Sequence, residues 1–236
     1  MLDKIQIAAS KTAQKYNVKF KFNTTSSANG RVLEAKKWNA LVLPFDITIE
    51  QLSQEFGYAI VNVYDENSSD ASTVRFKLEM DEVKANTPFI IKTAKEKKLK
   101  DITIHDVYIK DPVSLNPSKT VTGKVTMTGC YALTPITKDD YYFYNGAWNY
   151  GADSTTNPTN LPMSMAYWTP ADSSNGVRVF VEDLNDDGTT AIKEVSAQTM
   201  KEIATDGWYT LNGVKLQGVP TEKGIYIQNG KKVVIK

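Results

Sequence analysis

The sequence predicts an all-β fold, an antiparallel β-sandwich with one short helix, followed by a small C-terminal β-unit. Three observations carry this. Asn-Gly occurs five times, at Asn29-Gly30, Asn145-Gly146, Asn175-Gly176, Asn212-Gly213 and Asn229-Gly230, and this dipeptide tolerates positive φ at both central positions of a type I′ hairpin turn. From Thr73 to Met80, the apolar Val74, Phe76, Leu78 and Met80 alternate with Thr73, Arg75, Lys77 and Glu79, the period-2 pattern of a strand with one wet face. Helical periodicity with matching start and stop signals occurs in a single segment, so antiparallel pairing is favoured over helical crossovers.

In chain order, Leu2, Ile5, Ala9, Ala13 and Tyr16 mark residues 1–17 as a tail or helix. The sandwich domain is expected over 18–182. Its strands are Val18 to Phe22, Trp38 to Leu43, Ala59 to Tyr64, Thr73 to Met80, Phe89 to Lys92, Ile102 to Ile109, Thr120 to Leu133, Tyr141 to Tyr144, Ala147 to Tyr150, Met165 to Trp168 and Val177 to Val181. The helix lies between the second and third of these. Thr48 caps it, Gln51 completes a capping box, Ile49, Leu52 and Phe56 form an apolar stripe, and Gly57 ends it. At about two turns it needs a sheet to pack on, and it is expected to cover one open end of the sandwich. Residues 183–204 are polar, acidic at their start and without alternation, as expected of a linker. Residues 205–236 return to short alternating runs around two Asn-Gly pairs and read as about four strands.

Composition narrows the function classes. The 236 residues suffice for one large domain, or one plus a small one. A net charge of +1 argues against nucleic acid as a partner. No run of 18 apolar residues exists, so no membrane-spanning helix is expected. The first residues, with Asp3 and no apolar stretch, are not a signal peptide, so an exported protein would carry its leader upstream of Met1. The single cysteine, Cys130, excludes an intramolecular disulfide and a multi-cysteine zinc site, and within TMTGCYAL it reads as a small buried apolar residue.

The C-terminal run TDGWYTLNGVKLQGVPTEKGIYIQNGKKVVIK, Thr205 to Lys236, resembles the C-terminal sorting domains of proteins exported by the type IX route of Bacteroidetes-type bacteria. The resemblance rests on an aromatic followed by T-L-N-G-V-K-L, a Pro-containing connection, and G-I-Y-I-Q-N-G-K-K-V-V-I-K, with Gly213, Gly224, Tyr226 and Gly230 as its motif positions. Val214-Lys215 stands where the family often has Arg. The resemblance implies secretion or cell-surface, outer-membrane-associated localisation, with export or anchoring machinery as partner. A second resemblance covers about Lys36 to Glu182. KKWNALVLPFDIT (Lys36 to Thr48) and KANTPFIIK (Lys84 to Lys92) are similar to a β-domain found near the C-termini of large Bacteroidetes surface proteins, and no catalytic residues come with it.

Chemistry-bearing motifs are few. Asp183, Asn185, Asp187, Gly188 and Glu194 match the D-x-[DN]-x-[DN]-G-x5-E spacing of an EF-hand loop, whose oxygens surround Ca²⁺, although the preceding VRVFV reads as strand where an EF-hand has a helix. Ca²⁺ is the one cofactor the sequence raises. His105 is the only histidine, and strand alternation sends its neighbour Asp106 to the opposite face. Without an acid–base pair, a P-loop, a dinucleotide fingerprint or H-E-x-x-H, no enzyme is expected. The lysines Lys92, Lys95, Lys97, Lys98 and Lys100 read as a solvated loop between strands.

The stronger site signal is aromatic. DYYFYNGAWNYG places Tyr141, Tyr142, Phe143, Tyr144, Trp148 and Tyr150 on one hairpin, with Tyr167 and Trp168 nearby. Alternation separates Tyr141 and Phe143 from Tyr142 and Tyr144, so one set belongs to the core. An exposed set, Tyr142, Tyr144, Trp148, Tyr150 and Trp168, would stack on sugar faces or dock a surface protein. The sequence therefore supports a non-enzymatic accessory β-domain of an exported protein with a C-terminal sorting or anchoring unit, with a carbohydrate-binding or adhesion module using the hairpin 141–150 as the alternative.

Overall fold

The computed structural model describes residues 4–6, 15–21, 31–108, 116–153, 155–156, 158–174, 176–184, 190–195, 208–210, 224–228 and 231–235. The fold is all-β with one short helix. Two compact units divide it, Met1–Ala197 and Gln198–Lys236.

The first unit is organised about a six-stranded sheet in the order Thr190–Val195, Arg178–Leu184, Thr73–Leu78, Ala59–Tyr64, Phe89–Thr93, Trp38–Leu41. Every neighbouring pair in it is antiparallel except one. Arg178–Leu184 runs parallel to Thr73–Leu78, with Arg178 opposite Thr73 and Val181 opposite Phe76. A second sheet of five strands follows the order Ser118–Val121, Val125–Cys130, Met165–Pro170, Tyr141–Tyr144, Ala147–Tyr150. These two sheets share one core, built from Trp38, Ala40, Val42, Val74, Phe76 and Ile90 on one side and Met127, Phe143, Trp148, Met165 and Trp168 on the other.

The six-stranded sheet is also covered on its other face. Leu41, Leu43, Phe89 and Ile91 join Leu52 and Phe56 of the helix Ile49–Phe56, Val18 and Phe20 of the strand Tyr16–Lys21, and Ile104 and Val107 of the strand Thr103–Val107 in a second core. This explains why WNALVL and PFII are continuously apolar: strands wet on neither face need no alternation. Here Trp38, Ala40 and Ile90 face the first core, and Leu41, Phe89 and Ile91 the second. The helix thus packs over a sheet face, where the sequence expectation placed it at an open end.

Its local chemistry matches the expectation closely. Thr48 Oγ1 accepts from the Gln51 amide at 3.1 Å, Gln51 Oε1 accepts from the Thr48 amide at 3.1 Å, and Gly57 closes the helix at φ 69°.

Other expectations need correction. The strand Lys4–Gln6 pairs antiparallel with Tyr16–Lys21, Lys4 opposite Lys21, so at Ile5 the extended Lys-Ile-Gln overrides the helical spacing. The run Thr120 to Leu133 is two strands, Ser118–Val121 and Val125–Cys130, folded at Gly123, whose φ of 72° suits glycine. Met80 lies beyond the end of Thr73–Leu78 and is exposed. Residues 183–204 are not a plain linker: Asp183 and Leu184 finish one strand, and Thr190–Val195 pairs back on it, Asp183 opposite Ala191. The β-branched Thr190, Ile192 and Val195 favour that ladder, and the acids before them hide it from a composition reading.

In the second unit, Trp208–Thr210, Gly224–Gln228 and Lys231–Ile235 form one antiparallel sheet in that order. Gln228 pairs with Lys231, so only Asn229-Gly230 lies between the two strands, as the hairpin signal requires.

Candidate functional site

The aromatic hairpin is set by its two-residue connection. Asn145 and Gly146 have φ of 55° and 77°, so Tyr144 pairs with Ala147, Phe143 with Trp148, Tyr142 with Asn149 and Tyr141 with Tyr150. Directly opposed residues share a face. Tyr141, Phe143, Trp148 and Tyr150 therefore lie together on the core side. Trp148 and Trp168 are both 0% exposed. Trp148 stacks on Tyr141 at 5.6 Å between centroids, and Phe76 meets Trp168 edge-on at 5.1 Å.

Of the five rings assigned to a ligand platform, Trp148 and Trp168 are thus core, and Tyr150 packs against the same core, tilted on Tyr141 at 6.1 Å. Tyr142 and Tyr144 alternate to the other side of the hairpin, and Tyr142 also packs in part against that core. Tyr144 is 52% exposed, whereas Tyr142 is half-buried and burial pushes its phenol up. The alternative reading of the hairpin as a flat surface of five rings is thus left with two, one of them half covered.

Two acids of the Ca²⁺ pattern, Asp183 and Glu194, fall on two paired strands. Asp183 is buried and its carboxylate accepts from Lys92 Nζ, which also lies over the Trp38 ring at 5.0 Å. Glu194 stands opposite Phe180, three rungs from the Asp183–Ala191 pair. Asn185 and Asp187 lie outside the described residues. Among the described residues, no group of three or more His, Cys, Asp or Glu side chains is placed to hold a metal ion. Lys92 therefore belongs to a strand and an ion pair. Lys97–Lys98 likewise forms a short strand against Val32–Leu33, where a solvated loop was expected.

A polar cleft of about 550 Å³ opens beside this segment, lined by Glu55, Glu96, Lys97, Lys98, Asp101 and His105. His105 has a partner that its neighbours in sequence do not reveal. Its Nδ1–H donates to Glu55 Oε1 of the helix at 2.5 Å, and Gln51 Nε2 donates to the His105 carbonyl at 3.4 Å. Ile104 and Val107 are both buried, three residues apart, and the strand accommodates this with a register shift in which Asp106 takes φ 58°. Period-2 reasoning fails at that bulge. Among the described residues, no hydroxyl or thiol hydrogen-bonds the ring. Lys97 Nζ would lie 3.3 Å from a Cβ built on Gly57, which places a cation at the carboxyl end of a helix that has no basic residue in its last turn.

Cys130 is buried, and burial pushes its thiol up to about 11, with Thr134 and Arg31 opposing. It is protonated and inert at neutral pH. Among the sorting-motif positions, Gly224 opens its strand and Tyr226 pairs with Thr210 on one side and Val233 on the other. Gly213 and Gly230 lie outside the described residues. No helix among the described residues is long and apolar enough to cross a membrane. No family model, curated protein or solved structure matches the chain.

Proposed function

We propose that this chain is a non-enzymatic accessory β-domain of an exported or cell-surface protein, with its C-terminal unit acting as a sorting or anchoring signal. The observation that carries the reading is the separateness of Gln198–Lys236, a compact unit of its own holding one antiparallel three-stranded sheet. A signal read by other machinery is best placed on an element that can be recognised without unfolding its neighbour. The type IX sorting-like pattern falls on this unit, and its best hairpin signal, Asn229-Gly230, sits between two paired strands. The large unit serves as the folded body that is delivered, with its widest rings used for packing.

The test removes residues 198–236 from the full-length protein in its native host and follows surface delivery by protease accessibility of intact cells. Circular dichroism and thermal melting of the same truncated protein report whether the first unit still folds. Loss of delivery with an intact melting transition is expected. Undiminished delivery would refute the sorting role, and collapse of the first unit would reassign the segment to structure.

A further inference from the structure

Arg31 is a cation confined to the interior, 7% exposed. Its Nη1–H donates to the carbonyl of Ser164 and its Nη2–H to the carbonyl of Ala40. It thereby ties the six-stranded sheet to the turn that opens Met165–Pro170 in the five-stranded sheet. A guanidinium carries five N–H groups in a rigid fork and keeps its charge, so two carbonyls leave three donors over. No carboxylate among the described residues pairs with it, and the segment leading into it, FNTTSSANG from Phe22 to Gly30, contains no acid. Burial lowers the group to about 9, with Cys130 and Tyr144 opposing. The Cys130 thiol, pushed up to about 11 by burial, is neutral at physiological pH and supplies no negative charge.

Ser164 adds the second observation. It is 0% exposed, and its Oγ is buried without a hydrogen-bond partner. Its backbone is fully used, the amide donating to the Cys130 carbonyl at 2.7 Å and the carbonyl accepting from Val42 at 3.3 Å as well as from Arg31. It stands at φ 65°, a left-handed conformation that favours glycine. A serine here brings a hydroxyl into the interior, on the residue whose backbone carbonyl accepts from the guanidinium. Among the described residues, the local inventory is one unit positive charge and a surplus of donors, with no anionic acceptor. An uncompensated buried charge is costly.

We propose that Arg31 and Ser164 form an internal binding site for a small monovalent anion of the halide class, which accepts from the remaining guanidinium N–H groups and from Ser164 Oγ–H. One negative charge balances the single cation, and a spherical acceptor imposes no direction on the donors around it. A larger oxyanion such as sulfate would bring excess charge and bulk. The consequence of binding is structural: the ion completes the clamp between the two sheets.

Thermal melting of the full chain in sodium bromide, chloride and gluconate at one ionic strength tests the proposal, together with anomalous scattering from a bromide-soaked crystal. The expected result is a saturable rise in melting temperature with bromide and chloride over gluconate, and a bromide peak within hydrogen-bonding distance of Arg31 and Ser164 Oγ. Ser164→Ala should weaken half-saturation on the order of tenfold, and Arg31→Met should abolish the response. If Arg31→Met does not fold, Ser164→Ala alone decides. Melting that is indifferent to the anion overturns the proposal, as does a halide response unchanged in Ser164→Ala. A bromide peak without the solution effect is binding at crystal concentration only and also counts against it.

Discussion

Gly129 lies in Val125–Cys130 directly against Val42, the residue that follows Trp38–Leu41, and the structure shows what one added carbon would meet there. A Cβ built on Gly129 falls 2.7 Å from Val42 Cγ2 and 3.0 Å from Cγ1, and Val42 is fully buried. Real Cβ atoms do not come that close, so Gly129→Ala must push the sheets apart or turn Val42 out of its rotamer. Overpacking of this kind costs about 1–3 kcal/mol. Val42→Ala alone removes two methyl groups, about 1.6 kcal/mol of transfer free energy, with a cavity cost on top. In the double variant the new methyl occupies part of the space that the valine vacated. The combined loss should therefore fall short of the sum by about 1–2 kcal/mol, within the range for residues in contact. Urea unfolding of the four proteins measures this directly, and for a unit of this size each kcal/mol moves the melting temperature by about 2–4 °C. A Gly129→Ala protein within 0.5 kcal/mol of the original, or strict additivity in the double variant, would refute the close packing described for these sheets.

Three further outcomes are expected. Trp148→Ala should cost about 3–5 kcal/mol, as for other buried aromatic truncations, and any glycan or partner binding lost on that change should vanish in parallel with the folded fraction measured by denaturation. Asp183→Asn strips Lys92 of its carboxylate at a site where both side chains are mostly buried. It should destabilise by about 2 kcal/mol, while Lys92→Met combined with Asp183→Leu should recover most of the loss, as read from urea midpoints. Stability should also fall at alkaline pH through Cys130. Its folded value of about 11 lies above that of the unfolded thiol, so this contribution is intact below about pH 8.5 and is lost as pH rises toward 11, by about 3 kcal/mol. Buried tyrosines titrate in the same direction, so the measurement is the difference between the original protein and Cys130→Ala across that window.

The sequence was most legible where structure is local. The helix Ile49–Phe56 followed from its capping box and stripe, and Ala59–Tyr64, Tyr141–Tyr144 and Ala147–Tyr150 begin and end where their alternation and turn residues place them. The hairpin rings were decidable too. A two-residue turn at Asn145-Gly146 fixes Phe143 opposite Trp148, so Trp148 must share the buried face, and grouping it with Tyr142 and Tyr144 ignores that parity. Other features depend on partners far along the chain. Nothing near Thr73 marks it for parallel pairing with Arg178, nothing near His105 names Glu55, and the acids of 183–187 mask a strand whose pairing is with residues already in the sheet. The cover on the second face of the six-stranded sheet was written in the unbroken apolar runs at 40–43 and 89–91, but reading those runs as doubly buried requires knowing what lies on each side.

The parallel pair bears on when this protein can finish folding. Thr73–Leu78 meets Arg178–Leu184 only after about a hundred intervening residues have been made, and closing so long a loop is an entropic toll met before any contact repays it. Until residue 184 is available, one side of Thr73–Leu78 has no neighbour, and its amides and carbonyls are an open template for another chain. A nascent chain would therefore stay incomplete and pliable for most of its synthesis, then lock late. Under the export proposed above, such delayed closure would act as a timing device, and it also marks the interval in which aggregation competes with folding.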